Sequence, residues 1–124
     1  MEHAPGFLAL VDAIRPNISE ISAREAADAL VAGTAILLDV REDGEVAVGR
    51  IPGATHLGRG VLERDVEGRF PDPATPLILV CGGGFRSALA AHTLQTMGYL
   101  HVASLAGGVR AWQDEGLPWE PCAC

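Results

Sequence analysis

Hydrophobic positions along this chain change period several times, and each change marks an element. Near the start, Phe7, Leu10, Val11 and Ile14 recur at i, i+3, i+4 and i+7, the spacing of one helix face, and Pro16 closes the segment. This predicts a short amphipathic helix docked on the body of its own domain; a partner-binding helix is the less economical reading. Residues 18–21 read as a short edge strand. Ser22 and Glu25 have capping-box spacing, the hydroxyl and the carboxylate each satisfying a free N–H at a helix start. Ala23, Ala26, Ala27, Leu30 and Val31 then make one apolar face, and Gly33 is placed to end the helix. A buried strand over 35–38 runs into Asp39-Val40-Arg41-Glu42.

From 43 to 76 the pattern breaks up. Pro52, Pro71, Pro73 and Pro76 interrupt any long element, leaving room for a short strand at 54–57 and a helical turn at 61–64. Regular structure returns with Leu77-Ile78-Leu79-Val80, an apolar and mostly branched run that reads as a buried strand. A helix over 87–97, ended by Gly98, and a strand over 101–105 complete a βαβ unit. Gly107-Gly108 leads into a last helix over 109–115, closed by Gly116 and Pro118. Strands alternating with helices predict an α/β fold of one domain, with a mainly parallel central sheet and helices on both faces.

The chemistry lies where the second buried strand ends. Cys81 is delivered into Gly82-Gly83-Gly84, followed by Phe85, Arg86 and Ser87 at the predicted helix start. Unpaired N–H groups at a helix N-terminus point outward, and glycines let them come close to an anion. The helix dipole would favour a thiolate there by up to ~2 kcal/mol, and Arg86 would add to it. The run is an anion cradle built around a nucleophilic thiol. In open parallel sheets ligands bind at the carboxyl ends of strands, where Cys81, Asp39 and Arg41 all fall.

Composition narrows the field. A chain of 124 residues is large enough for a real core, and 48% hydrophobic with 20% charged residues is ordinary for a globular domain. The net charge of −7 argues against nonspecific binding to nucleic acid or to an anionic membrane, while leaving a small anionic substrate open. No apolar run approaches the ~18 residues of a membrane span, and Met1-Glu2-His3-Ala4-Pro5 has no secretory pattern, so the expected location is cytoplasmic. Three cysteines do not make a disulfide framework.

With these residues placed, the chain resembles the single-domain rhodanese family of sulfurtransferases from about residue 18 to 118. The resemblance rests on four landmarks in order: Leu38-Asp39-Val40-Arg41-Glu42, Ile51-Pro52-Gly53-Ala54, the Cys81–Arg86 loop with Ser87, and Leu105-Ala106-Gly107-Gly108-Val109 leading to Trp112. The chain then divides into the helical extension over 1–17, a rhodanese-like domain over 18–119 and a Cys-x-Cys tail over 120–124. The resemblance implies a persulfide relay without a metal or cofactor. Cys81 would take the outer sulfur of a donor such as thiosulfate and pass it to a thiol or cyanide. The loop of Gly82, Gly83, Gly84, Phe85 and Arg86 would hold the anionic sulfur, assisted by Ser87. Relatives acting on phosphate or arsenate carry one more loop residue; here Arg86 stands five positions after Cys81, which favours sulfur transfer. The competing class is a non-enzymatic sulfur carrier or regulatory module acting with a sulfur-accepting partner protein. Arg50, where the family often has histidine before Ile-Pro-Gly, is expected to serve loop structure.

Several residues keep two readings. Asp39 and Arg41 form an ion pair bracing the loop, or help position substrate; the first is favoured. Arg86 binds the donor anion, or turns inward to the loop carbonyls. His3, His56, His92 and His101 have no metal-ligand spacing. Trp112 is expected to pack the last helix on the sheet and Trp119 to pin the tail. Cys122 and Cys124 are an inert tail, a resolving thiol pair or a soft-metal site, with the first preferred.

Overall fold

A computed structural model describes residues 3–121. Its frame is a five-stranded parallel sheet made of β1 (Ser19–Ile21), β2 (Ile36–Asp39), β4 (Thr55–His56), β5 (Leu77–Val80) and β6 (Val102–Leu105). The order across the sheet is β1-β6-β5-β2-β4, and a separate antiparallel ribbon pairs β3 (Gly49–Arg50) with β7 (Glu120–Pro121). β2 and β5 are central, and neighbouring strands carry alternate residues to opposite faces. Leu37, Ile78 and Val80 meet α2 (Ala23–Ala32) and α6 (Gly108–Asp114) on one face, where Trp112 is buried. Leu38, Leu79 and Cys81 belong to the other face, packed with Leu62 and Val66 of α4 (Leu62–Arg69) and with Ala90, Ala91 and Leu94 of α5 (Phe85–Thr96). Each fully buried leucine is worth roughly 1.5–3 kcal/mol. The parallel sheet with both faces covered is the one predicted.

Helix α1 (Pro5–Ile14) docks on α5 with Val11 fully buried. Ser22 and Glu25 form the expected capping box, and Gly33 adopts the left-handed conformation at the end of α2. The apolar face of α2 is narrower than its sequence, however. Ala23, Ala26 and Ala27 are buried and Leu30 packs against the same cluster, while Val31, beside that stripe, is 89% exposed.

The proline-rich middle holds more helix than its composition predicts. A six-residue α3 (Asp43–Val48) opens with Glu42 and Glu45 in a reciprocal capping arrangement. The expected turn at 61–64 is a 3-10 turn (Arg59–Val61) continuing into the two turns of α4. The ribbon β3–β7 went unforeseen, and an exposed Arg50–Glu120 ion pair of 2.9 Å spans it. Trp119 lays its ring over the Arg41 guanidinium, 5.7 Å from the ring centroid. Among the described residues no helix is long and apolar enough to cross a membrane. Cys122 and Cys124 lie outside the described residues.

Candidate active site

Strand β5 ends at Val80 and places the Cys81 sulfur where the chain turns into α5. The helix begins two residues earlier than predicted, at Phe85, because Gly84 takes a left-handed conformation (φ 93°) as its N-cap. No side chain caps this end. Two of its N–H groups, from Gly84 and Ser87, donate instead to Cys81 Sγ at 3.1 and 3.2 Å. The early helix start therefore converts free helix-end donors into a sulfur cradle. Ser87 Oγ lies 3.4 Å from the sulfur and shares a 2.8 Å hydrogen bond with Ser104 Oγ of β6; both hydroxyls are buried. The cysteine is itself a buried free thiol.

The opposite side of the loop is held by α6. Val109 N–H donates to Cys81 O at 2.8 Å and Arg110 N–H to Gly82 O at 3.2 Å. Free donors of one helix end thus satisfy the carbonyls of the loop that leads into another. This contact explains Gly107-Gly108: a Cβ at Gly108 would collide with Cys81 O, and its φ of +59° suits glycine. Gly84 is equally confined, since its Cβ would approach Gly107 N to 2.9 Å.

Cys81, Gly82, Gly83, Phe85 and Arg86 open on a cavity of about 720 Å³, whose lining also includes His3, Phe7, Glu45 and Arg110. Of the expected site residues, Gly84 and Ser87 act from beneath, on the sulfur. Arg86 lines the cavity with its guanidinium turned to a carboxylate and not to the loop carbonyls. Its two terminal nitrogens each donate to Glu45 at 2.8 Å, a bidentate pair with α3. That hydrogen bonding holds the Glu45 carboxyl down at about 2, from an ordinary 4.5, and keeps Arg86 still more firmly protonated. The charge of Arg86 is thus neutralised within the protein.

Asp39 and Arg41 stand outside this lining. Arg41 Nη2 donates to Asp39 at 2.8 Å and to Gly49 O at 2.9 Å, both side chains being almost fully buried. The geometry is that of a brace between β2, α3 and β3. His56 Nε2 sits 2.8 Å from Arg41 O. A second hollow of about 320 Å³, between α3 and the β3–β7 ribbon, is lined by Asp43, Val46, Ala47, Arg50, His56 and Glu120 with Pro121, and offers no nucleophile.

Glu45, Arg110, His3 and Phe7 were missed by the sequence reading. Glu45 stands three residues after Glu42, the spacing of a capping box, but with glutamate in place of the serine or threonine that marks one in a sequence. The others reach the cavity only through tertiary packing. The His3 and Phe85 rings lie 4.4 Å apart between centroids, with Phe7 6.0 Å from Phe85.

Comparison with known proteins identifies the lineage. The family model for the rhodanese-like domain matches residues 22–115. A thiosulfate sulfurtransferase GlpE of Actinobacillus succinogenes is 35% identical over 105 residues, covering 82% of this chain and 90% of its own. The polysulfide-sulfur transferase homodimer of Wolinella succinogenes superimposes with a TM-score of 0.78 at 30% identity, covering 92% of this chain and 86% of that one. A Rhodopseudomonas palustris protein of unknown function, described as a possible tyrosine phosphatase, gives 0.80 at 32% identity over 97% and 98% of the two chains. On the match across residues 22–115, this chain belongs to the rhodanese family.

Proposed function

We propose that the protein is a sulfurtransferase carrying sulfane sulfur as a persulfide on Cys81. One observation carries the reading: backbone N–H groups of Gly84 and Ser87 converge on Sγ itself. Donors fixed in advance at a sulfur favour the thiolate without reorganisation when it attacks or leaves. The thiolate would attack the outer sulfur of thiosulfate, forming a new S–S bond as sulfite departs with the electron pair of the broken one. A thiol or cyanide would then take the outer sulfur and return the thiolate.

Phosphoryl transfer fits less well. The arginine of the loop itself, which would have to hold the oxygens of the transferring group, is engaged by Glu45 through both terminal nitrogens. The name given to the polysulfide-sulfur transferase and the GlpE relative supports the same choice.

Thiosulfate:cyanide turnover tests the proposal. Cys81→Ser should lower it by at least about a thousandfold while leaving thermal unfolding unchanged. Intact mass after thiosulfate treatment should show a gain of one sulfur atom, mapped to Cys81. Stable loading without turnover, unless a protein acceptor is added, would make the chain a carrier. Cys81-dependent hydrolysis of an aryl phosphate would overturn the assignment.

A further inference from the structure

The Cys81 cavity is far larger than thiosulfate or cyanide requires. About 720 Å³ lies within the range that encloses whole organic ligands. Its lining is of two kinds: the rings of His3, Phe7 and Phe85 form an aromatic wall, while Glu45, Arg86 and Arg110 supply charge. Glu45 and Arg86 cancel one another. Arg110 does not enter that pair, and its guanidinium has no hydrogen-bond or ion-pair partner among the described residues. Its backbone is nevertheless fixed, because the Arg110 N–H is bonded to Gly82 O next to the nucleophile. The cavity thus presents an aromatic wall, a permanent cation and a thiol.

We propose that Arg110 selects the sulfur acceptor, a carboxylate-bearing organic thiol, by holding its carboxylate while the apolar stem rests on Phe7 and Phe85. This rests on the sulfurtransferase reading above. The acceptor thiolate forms a bond to the outer sulfur of the Cys81 persulfide, and the bond from that sulfur to Sγ breaks. Its electron pair remains on Sγ as a thiolate, received by the Gly84 and Ser87 N–H groups. The proton of the outer sulfur leaves with the product persulfide, and no external oxidant or reductant enters. A neutral thiol gains nothing from Arg110, and a cationic one is repelled.

Thiosulfate is also an anion, so the test isolates discharge from loading. The protein is loaded with thiosulfate, desalted, and checked by intact mass for one added sulfur. It is then mixed with 3-mercaptopropionate, 2-mercaptoethanol or cysteamine, each rate being expressed per thiolate present. Wild type should discharge fastest to 3-mercaptopropionate. Arg110→Ala should lower the preference for 3-mercaptopropionate over 2-mercaptoethanol about tenfold, equivalent to ~1.4 kcal/mol. Arg110→Lys should retain most of the preference, and Arg110→Glu should turn it towards cysteamine. Equal preferences in wild type and Arg110→Ala, after normal loading, would overturn this inference alone. Failure of wild type to load would overturn the sulfurtransferase reading and this inference with it.

Discussion

The carboxyl ends of β2 and β5 lie side by side, with Asp39 level with Val80, and they treat charge in opposite ways. After β2 the charges are side chains, buried and closed on one another: Asp39 faces Arg41, and Arg41 also takes Gly49 O. After β5 the polar groups around the thiol are mostly backbone N–H groups and hydroxyls, directed at a single sulfur. A buried ion pair resists any change of its charge, because loss of either partner strands the other. A set of neutral donors accepts a charge that comes and goes. One strand end is suited to bracing, its neighbour to chemistry.

The comparison breaks most visibly at the brace. Asp39→Asn strands the buried Arg41 charge and should cost about 3–5 kcal/mol in urea unfolding. Replacing both residues with apolar ones of similar volume should recover much of that loss. Unchanged unfolding of Asp39→Asn would remove the brace from this account.

Gly108→Ala comes next and acts on the Cys81 loop from α6. A left-handed alanine costs about 1–2 kcal/mol, and its Cβ must displace the Cys81 carbonyl. Sulfur transfer should fall more than about tenfold beyond what the lost stability explains, because the displaced carbonyl turns the peptide planes of the cradle. Activity equal to wild type would show that α6 does not set the loop.

The smallest effect belongs to Glu45, which lies between the two styles. Its folded-state carboxyl sits at about 2 against an ordinary 4.5, chiefly through the hydrogen bonds from Arg86. A depressed carboxyl contributes stability that is fully present above 4.5 and lost as pH falls towards 2. Both side chains are partly exposed, so solvent limits the contribution to about 1 kcal/mol. Urea titrations of wild type and Glu45→Gln should differ by that amount at neutral pH and converge as pH drops through that window. A difference that persists at pH 2 would mean Glu45 acts by packing and not by charge.

The chain discloses its local devices readily. The Ser22 capping box, the βαβ unit around β5 and the run from Cys81 to Ser87 were legible because sequence neighbours make them. Helix α3 was not, because Gly44 weakens it and its capping residue is Glu42, outside the usual Ser, Thr, Asp and Asn. Its existence decides the environment of Arg86, whose partner Glu45 is 41 positions away. Val31 shows the converse error, a helix-periodic apolar residue that the fold leaves in solvent. The thiol and its glycine loop were readable; the company their cavity keeps is a product of tertiary packing.

The hydrogen bonds from Val109 and Arg110 to Cys81 O and Gly82 O also set an order of events. During synthesis β5 and the cysteine emerge well before the segment that carries these two donors. Until α6 has been made and has docked, the loop carbonyls lack their partners. A chain that has been made only as far as α5 therefore carries its thiol in a loop that α6 does not yet hold.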